Sequence, residues 1–309
     1  MKKILILGVL LLLLVDVKAQ QEAMYTHYSF NTLSINPAYA GTRDALTMTG
    51  LHRSMWVGFP GAPKTQTFTA HSPVFHENIG LGLTVVNDQI GPTQQTSFSI
   101  DYAFRIKVGE NAKLSFGLKS GLSFLSNDLS RIHTTEENDP VFQSDYTSDL
   151  LPIFGFGLYY YTPKFYAGLS VPRLIKNDFF TNTTYGGVKG NERHYFFIAG
   201  AIFSLTSDGR IKLKPTTYIK VSEGAPIEMD LTALFYINDV IWVGPMFRTG
   251  DAVGGLAGIN ITKQLSVGYS FDWSYANTTS KYNDGSHEIM LRYDFIFKDK
   301  GKISSPRYF

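Results

Sequence analysis

The sequence predicts an all-β protein, a transmembrane antiparallel β-barrel of about 14 strands with an N-terminal periplasmic arm or plug. Three observations predict this fold. The chain begins with an export signal. From residue 44 onward it alternates between apolar and polar side chains in segments of about ten residues. Its apolar faces are rich in aromatic residues, which make up 14% of the chain and are frequent in strands and at membrane interfaces.

The export signal occupies the first residues. Lys2 and Lys3 precede an unbroken apolar run from Ile4 to Val15, and a small residue, Ala19, follows. A short positive region, a short apolar run and a small residue before the cut are typical of a secretory signal peptide. The run is shorter than the roughly 20 residues that a membrane-spanning helix needs. We therefore expect a signal peptide at 1–19, with cleavage after Ala19.

The next stretch, 20–43, differs from the rest of the chain. It is aromatic but does not alternate, with Tyr25, Tyr28 and Phe30 before the segment Asn36–Gly41. An Asn-Pro pair favours a turn rather than a continuing strand. We interpret 20–43 as a periplasmic arm or a lumen plug, with a plain linker as the alternative.

The alternating segments follow. In 93–108, apolar side chains on one face oppose polar ones on the other: Phe98, Ile100, Tyr102, Phe104 and Ile106 against Ser97, Ser99, Asp101 and Arg105. A soluble sandwich also alternates. Here, however, the polar faces carry glycine, serine and charges of both signs rather than a lysine-rich surface. A barrel with lipid outside and a wet lumen has this pattern.

Fourteen strands are expected within a barrel domain at 44–298, and a C-terminal periplasmic tail follows at 299–309. The expected strands are 44–53, 64–72, 77–87, 93–108, 112–126, 150–161, 163–172, 192–206, 210–222, 225–237, 239–248, 251–262, 263–276 and 286–298. The longest connections, near 127–149, 173–191 and 277–285, all follow odd-numbered strands. With both chain ends in the periplasm, these connections are extracellular, where barrels carry their long loops.

Two pairs of glycines stand two residues apart in the expected strands, Gly80 with Gly82 and Gly155 with Gly157. Residues two apart in a strand share a face, here the lumen face. A glycine inside a strand marks a bend or a place where another group approaches closely. These pairs therefore mark a lumen face that needs room or a bend at these positions.

Composition excludes several functions. The 28 basic and 26 acidic residues give no concentrated positive charge for a nucleic acid. The absence of cysteine excludes disulfides, thiolate metal sites and thiol nucleophiles. No nucleophile elbow, Walker loop or dinucleotide fingerprint occurs. The acidic stretch from Glu136 to Asp149 has carboxylates for Ca²⁺ but no EF-hand pattern. We expect no cofactor, no metal site and no catalytic residue.

Short motifs along the whole mature chain carry a family resemblance. They are Asn36-Pro37-Ala38-Tyr39-Ala40-Gly41, Arg53-Ser54-Met55-Trp56 before Gly61-Ala62-Pro63, Gly80-Leu81-Gly82 leading to Asp88-Gln89-Ile90-Gly91-Pro92, Gly168-Leu169-Ser170-Val171-Pro172, and Pro306-Arg307-Tyr308-Phe309. With these motifs the chain resembles the PorP/SprF family of outer-membrane proteins associated with the type IX secretion system of Bacteroidota. Met55 is a departure, because the family usually has Gln before the Trp.

The resemblance implies a non-enzymatic barrel in the cell outer membrane. Its partner would be the C-terminal domain of a secreted adhesin, for export or surface retention, or the periplasmic secretion and gliding machinery. The motifs leave both roles open. The candidate partner-binding residues are Arg53, Trp56, Asn36, Pro37, Tyr39 and Asp88. Arg and Trp often dominate binding interfaces, although Trp56 at the headgroup level would instead be an anchor. The alternative function is a passive porin or a FadL-like transporter of hydrophobic small molecules.

Overall fold

The computed structural model describes residues 24–74, 77–128, 146–147, 150–175, 193–223, 225–276 and 281–296. In these residues the chain forms two short 3-10 helical turns and one antiparallel sheet. The elements are η1 (Thr32–Ser34), η2 (Pro37–Tyr39), β1 (Leu46–Ser54), β2 (Lys64–Pro73), β3 (Ile79–Ile90), β4 (Thr93–Lys107), β5 (Lys113–Asn127), β6 (Tyr146–Thr147), β7 (Leu151–Tyr161), β8 (Phe165–Val171), β9 (His194–Ala201), β10 (Phe203–Ser204), β11 (Ile211–Ser222), β12 (Glu228–Ile237), β13 (Ile241–Arg248), β14 (Ala252–Asn260), β15 (Leu265–Ser274) and β16 (Ser286–Phe295).

The sheet closes on itself. The first strand, β1, pairs with the last, β16, from Leu46 opposite Phe295 to Ser54 opposite His287. On the other side β9 pairs directly with β11, past the two-residue strand β10. Each long strand therefore has a neighbour on both sides, and no edge is left open along the ring. Apart from the two-residue strands β6 and β10, the described ring has 14 strands, and the predicted 14-stranded antiparallel barrel is confirmed.

The two faces of the barrel follow the alternation of the sequence. Outward side chains are apolar and exposed, such as Ile100 on β4 and Leu118 on β5, which are 61% and 58% exposed. Inward side chains on the same strands, such as Asp101 and Ser115, are fully buried. The faces predicted for 93–108 are thus confirmed. An apolar outside and a polar inside are what a barrel in a bilayer requires.

The two ends of the barrel differ in their connections. At one end, here called the turn end, neighbouring strands join through short turns. Asn238 and Asp239 lie between β12 and β13 with φ of 52° and 57°, the left-handed conformation that tight hairpins use. The other end, here called the loop end, carries the longer connections. Much of 127–149 and 173–191 lies outside the described residues. Which end faces the cell exterior stays a prediction.

The chain before β1 fills the lumen. The segment 24–43, here called the plug, runs between the two ends and buries a row of apolar side chains: Tyr25, Tyr28, Phe30, Leu33, Ile35, Ala38, Tyr39 and Ala40. Within it, the Asn36 side chain accepts a hydrogen bond from the Ala38 N–H at 2.9 Å and so caps η2. Pro37 begins that turn, where its fixed φ is compatible with helical geometry. Of the described residues, none forms a helix long and apolar enough to cross a membrane.

Candidate functional site

The plug is fixed at the loop end by buried carboxylates. The backbone N–H groups of Thr26 and His27 donate to the two oxygens of Glu288, at 2.9 and 2.7 Å. The Thr26 hydroxyl donates to Asp272 at 2.6 Å. His27 Nδ1 also lies 2.7 Å from Glu288 Oε1. These contacts tie the beginning of the plug to the inner faces of β15 and β16.

Arg53 completes this cluster. Its guanidinium donates to Asp272 at 2.7 Å, to the Thr26 hydroxyl at 2.7 Å and to Glu288 at 3.3 Å. The residue is only 1% exposed. We call Thr26, His27, Arg53, Asp272 and Glu288 the loop-end latch. Because its carboxylates are shielded from water, removing the arginine would leave them without their closest cation, a change that typically costs about 3–5 kcal/mol.

A second latch holds the other end of the plug. Arg43 donates to Asp294 from Nη2 at 2.9 Å and from Nε at 3.3 Å. The Thr47 hydroxyl donates to the same carboxylate at 2.7 Å. We call these three residues the turn-end latch. Both latches use the inner faces of β1, β15 and β16, here called the seam wall, where the first and last strands close the ring.

Between the latches, an aromatic side chain of the plug packs on lumen cations. The Phe30 ring stacks on Trp242 with ring centres 4.4 Å apart. Lys214 Nζ lies 5.3 Å from the Phe30 ring centre, and the Arg292 guanidinium lies 5.6 Å from it. Such cation–π contacts are stronger when the partners are desolvated. They give the plug a second mode of attachment along its length.

The opposite side of the lumen contacts the plug through glycines. We call Gly80, Gly117, Gly157 and Gly168, on β3, β5, β7 and β8, the glycine wall. A Cβ atom at Gly117 would overlap the backbone of Ala38, and one at Gly157 would overlap the Asn36 side chain. The plug backbone therefore lies directly on these strands. Beside Gly80, Gly82 and Gly157 the space is occupied by the chain's own N-terminal segment, whereas beside Gly155 it is occupied by the Pro172 backbone.

Hydrogen bonds fix the register on the glycine wall. Asn36 Nδ2 donates to the Leu158 carbonyl of β7 at 2.9 Å, while its oxygen caps η2. The Ser170 hydroxyl of β8 donates to the Ile35 carbonyl at 2.6 Å. Arg105 of β4 donates to the Gly41 carbonyl. The motif Asn36–Gly41 is thus the segment by which the plug docks on the barrel.

A small cavity remains at the loop end beside the plug. It encloses about 80 Å³ and lies between the plug and β3–β5 and β7–β9. Its polar lining carries charges of both signs. Asp88 accepts a hydrogen bond from Thr65 at 2.5 Å, and Lys119 forms an ion pair with Asp101 at 2.8 Å. This polar cavity therefore lies next to the beginning of the plug, where Tyr25 lines it.

The candidate residues fall in three places. Asn36, Pro37 and Tyr39 are buried in the plug, and Asp88 lines the cavity. Trp56 follows β1 in the connection 55–63, is partly exposed, and has a φ of 46°. The backbone N–H of Trp56 donates to the Ser286 hydroxyl at 3.3 Å. These residues do not form a single surface.

Arg53, one of the candidate partner-binding residues, is not exposed at the surface of the barrel. The residue belongs to β1, and its side chain enters the lumen because two buried carboxylates and the plug need a cation there. Sequence reasoning also missed Thr26 and His27. Asp272 and Glu288 lie on the polar faces of two alternating segments, and that inward negative charge was the available signal that a buried cation lies nearby.

Metal binding finds no support in the described part of the chain. No group of three or more His, Asp or Glu residues there is arranged to hold an ion. The carboxylates of the acidic stretch 136–149 lie outside the described residues. An oxygen-ligand site in that stretch therefore stays untested.

The fold and the plug define an outer-membrane β-barrel with its own N-terminal segment in the lumen. A family described as "Type IX secretion system membrane protein PorP/SprF" matches residues 17–293. The chain belongs to this family, and it is an outer-membrane protein of the type IX secretion system. The resemblance carried by the sequence motifs is thereby confirmed. No curated protein matches the sequence.

Three solved structures show a partial likeness to this chain. The Acinetobacter baumannii outer membrane protein Omp33 shares 11% identity over 82% of this chain and 100% of that one, with a TM-score of 0.43. The KdgM porin shares 6% identity over 82% and 99%, with a TM-score of 0.41. BamA from Haemophilus ducreyi lacking POTRA domains 1-3 shares 8% over 81% and 70%, also with a TM-score of 0.41. At these identities the likeness concerns the fold alone.

Proposed function

We propose that the protein is a non-enzymatic, plugged barrel that binds a secreted adhesin through its loop end, for export or surface retention. The family supports a role in type IX secretion. The observation that carries the proposal is the plug itself, which occupies the lumen and is held by two latches and by the glycine wall. A barrel filled in this way is suited to binding at its ends. Binding of the periplasmic machinery at the turn end is the second possibility within the family.

The plug argues against the alternative of a passive porin. A porin needs a continuous aqueous path between the two ends, whereas Leu33, Ala38 and Tyr39 are among the most buried side chains of the described residues. Displacing the plug would break several buried charge contacts at once. We expect the reconstituted protein to show no steady conductance in planar bilayers. Conductance of the size that porins show would favour the transport function instead.

The loop end offers a surface for a polypeptide partner. Phe59, in the connection 55–63, and Tyr282, in the connection before β16, are 40% and 72% exposed. Trp56 lies at the base of the first of these connections. Exposed aromatic side chains are frequent anchors of protein interfaces. For Trp56, a role as an interfacial anchor at the headgroup level remains the alternative.

The proposal is tested by pairing loop-end and turn-end variants. Phe59→Ala combined with Tyr282→Ala should leave the barrel assembled, because neither side chain is buried, and should reduce co-purification of the secreted client from native membranes. A true hot-spot residue contributes at least about 2 kcal/mol to binding. The matched control is Phe203→Ala combined with Leu205→Ala, both 53% exposed at the turn end.

The loop-end and turn-end double variants distinguish binding of the adhesin from binding of the periplasmic machinery. Loss of the adhesin with the loop-end pair alone supports the proposed surface. Loss of periplasmic machinery with the turn-end pair alone would favour the machinery-binding role. Wild-type yields of the client with the loop-end pair would show that this surface does not bind it.

A further inference from the structure

The inward-pointing cations of the barrel differ in whether a carboxylate accompanies them. Towards the loop end, Arg53 forms ion pairs with Asp272 and Glu288. Arg248 likewise forms an ion pair with Asp230. At the turn end, by contrast, four basic residues form no ion pair with any residue that the structure describes. These are Arg105, Lys107, Lys113 and Lys164, here called the turn-end cation patch.

The strand register brings the patch together. Lys107, the last residue of β4, lies directly opposite Lys113, the first residue of β5. Lys113 in turn lies opposite Tyr161, the last residue of β7, and Lys164 follows in the turn before β8. Arg105 shares a strand face with Lys107, because the two are two residues apart. Since neighbouring strands are about 4.8 Å apart, one short peptide segment can span all four cations.

The patch belongs to the lumen side of the barrel wall. Lys107 follows Ile106, which is 39% exposed on the apolar outer face. Lys113 precedes Leu114, which lies opposite Ile106 on that same face. Side chains alternate between the two faces of a strand, so both lysines start from the inner face, at the rim of the lumen. A lysine that reaches lipid headgroups instead lays its stem along the apolar surface, so this position favours a partner that meets the turn end.

The patch is unfavourable for the isolated barrel. Like charges directly opposite each other on neighbouring strands are destabilising, and this applies to Lys107 and Lys113. Arg105 is only 1% exposed and donates to the Gly41 carbonyl, but its Nε and Nη2 have no hydrogen-bond partner among the described residues. The same end also carries three carboxylates, none of them in an ion pair with the patch: Asp44, Glu77 and Glu110. An anionic group brought by a partner would match charges that the described chain leaves unmatched.

We propose that the turn-end cation patch binds an acidic segment of a polypeptide partner. Carboxylates accept charge-assisted hydrogen bonds from ammonium groups, and two lysines side by side fit a segment with neighbouring acidic residues. The charge of Arg105 behind them adds to the attraction, although its side chain is buried. In the predicted orientation the partner is periplasmic, so the inference deepens the machinery-binding possibility by naming the residues and the chemistry of that partner. It does not rest on adhesin binding at the loop end.

Binding of a labelled oligo-glutamate peptide to the purified protein in lipid nanodiscs tests the proposal. Lys107→Gln combined with Lys113→Gln should weaken binding by about tenfold or more, because two charge-assisted hydrogen bonds are lost. The matched control is Arg210→Gln combined with Lys263→Gln, which removes the same charge from other turn-end connections. This control should bind the peptide nearly as the natural chain does. Added salt should weaken binding by the natural chain.

A charge reversal separates binding from folding. Lys113→Glu places an acid opposite Lys107, so heat-modifiable mobility should show a folded barrel while the peptide no longer binds. If that variant fails to assemble, Lys164→Gln, in a turn, replaces it.

Three results would overturn the proposal. The first is no binding of the peptide by the natural chain, and the second is equal binding by the double lysine variant and its control. The third is binding of short-chain phosphatidylglycerol in place of the peptide, which would show that the patch takes a lipid headgroup. Loss of the adhesin from the Phe59→Ala and Tyr282→Ala pair is a separate result, because no loop-end residue takes part here.

Discussion

The two sides of the lumen hold the same plug by different physical means. The seam wall uses charged side chains, with Arg53, Asp272 and Glu288 at one end and Asp294 at the other. The glycine wall uses the lack of side chains, so that the plug backbone rests on strand backbone. Charged groups fix where each end of the plug lies, because their hydrogen bonds are directional. The glycines set how closely the middle of the plug can approach the strand backbone.

The difference has energetic consequences. A glycine within a strand or helix is destabilising by roughly 0.5–1 kcal/mol relative to alanine. This destabilisation is offset only when the plug packs on the glycine wall. A buried ion pair contributes little net stability but becomes costly when one partner is removed. Adding side-chain atoms should therefore destabilise the barrel most at the glycine wall. Removing side-chain atoms should destabilise it most at the seam wall.

The largest expected effect is at the glycine wall. In Gly117→Val, the new side chain would overlap the Ala38 backbone, which cannot move without displacing the plug. Overpacking a core typically costs 1–3 kcal/mol, but here the overlap is with backbone, so we expect no assembled barrel in heat-modifiable mobility. Gly50→Val is the matched control, because a Cβ atom at Gly50 meets nothing within 4 Å. Equal assembly of the two variants would contradict the close approach.

The next effect is at the seam wall. Arg53→Ala removes the nearest guanidinium from two buried carboxylates and should destabilise the barrel by about 3–5 kcal/mol in urea unfolding. Arg210→Ala is the control. Its ion pair with Asp208 is mostly exposed, so the expected change is below about 1 kcal/mol. If Arg53→Ala unfolds at the same urea concentration as Arg210→Ala, the loop-end latch does not hold the plug.

On the outer face of β5, a change of side-chain charge should impair assembly more than a change of side-chain volume. Phe116 is the outward neighbour of Gly117. Phe116→Arg places a cation in lipid and should cost about 2–4 kcal/mol near the midplane. Phe116→Leu, which keeps the face apolar, should assemble almost as the natural chain does. Equal folding of both variants in lipid vesicles would show that this face is not in contact with lipid.

The smallest effect concerns one hydrogen bond on the glycine wall. Ser170→Ala removes the donor to the Ile35 carbonyl and should lower the free energy of unfolding by about 1 kcal/mol. Ser115→Ala serves as the comparison, because the Ser115 hydroxyl is buried with no hydrogen-bond partner. It should be nearly neutral. A larger loss from Ser115→Ala than from Ser170→Ala would contradict the docking of the plug on β8.

The barrel could be predicted from the sequence because its signals are local. Alternation within 93–108 places side chains on two faces whatever the rest of the chain does, and the strand observed there is Thr93–Lys107. The connections at the turn end follow from residues such as Asn238 and Asp239, which accept positive φ. The strand count and the faces need nothing more than these patterns.

The site could be predicted only in part, because its contacts join distant residues. Arg53 pairs with Asp272 and Glu288, which lie 219 and 235 positions further along the chain. No local sequence pattern shows that these three residues lie together. The glycines of β3 and β7 did predict a need for room or a bend, but they could not show that Ala40 lies against Gly80 and Asn36 against Gly157.

The central claim is that residues 24–43 form a fixed plug. Hydrogen–deuterium exchange of the purified protein, followed by mass spectrometry, tests it without any substitution. The account predicts that peptides from 24–43 exchange as slowly as peptides from β4, because the Thr26 and His27 amides are bonded to Glu288 and the surrounding side chains are buried. Exchange of the plug as fast as the exposed connection 55–63 would contradict the claim.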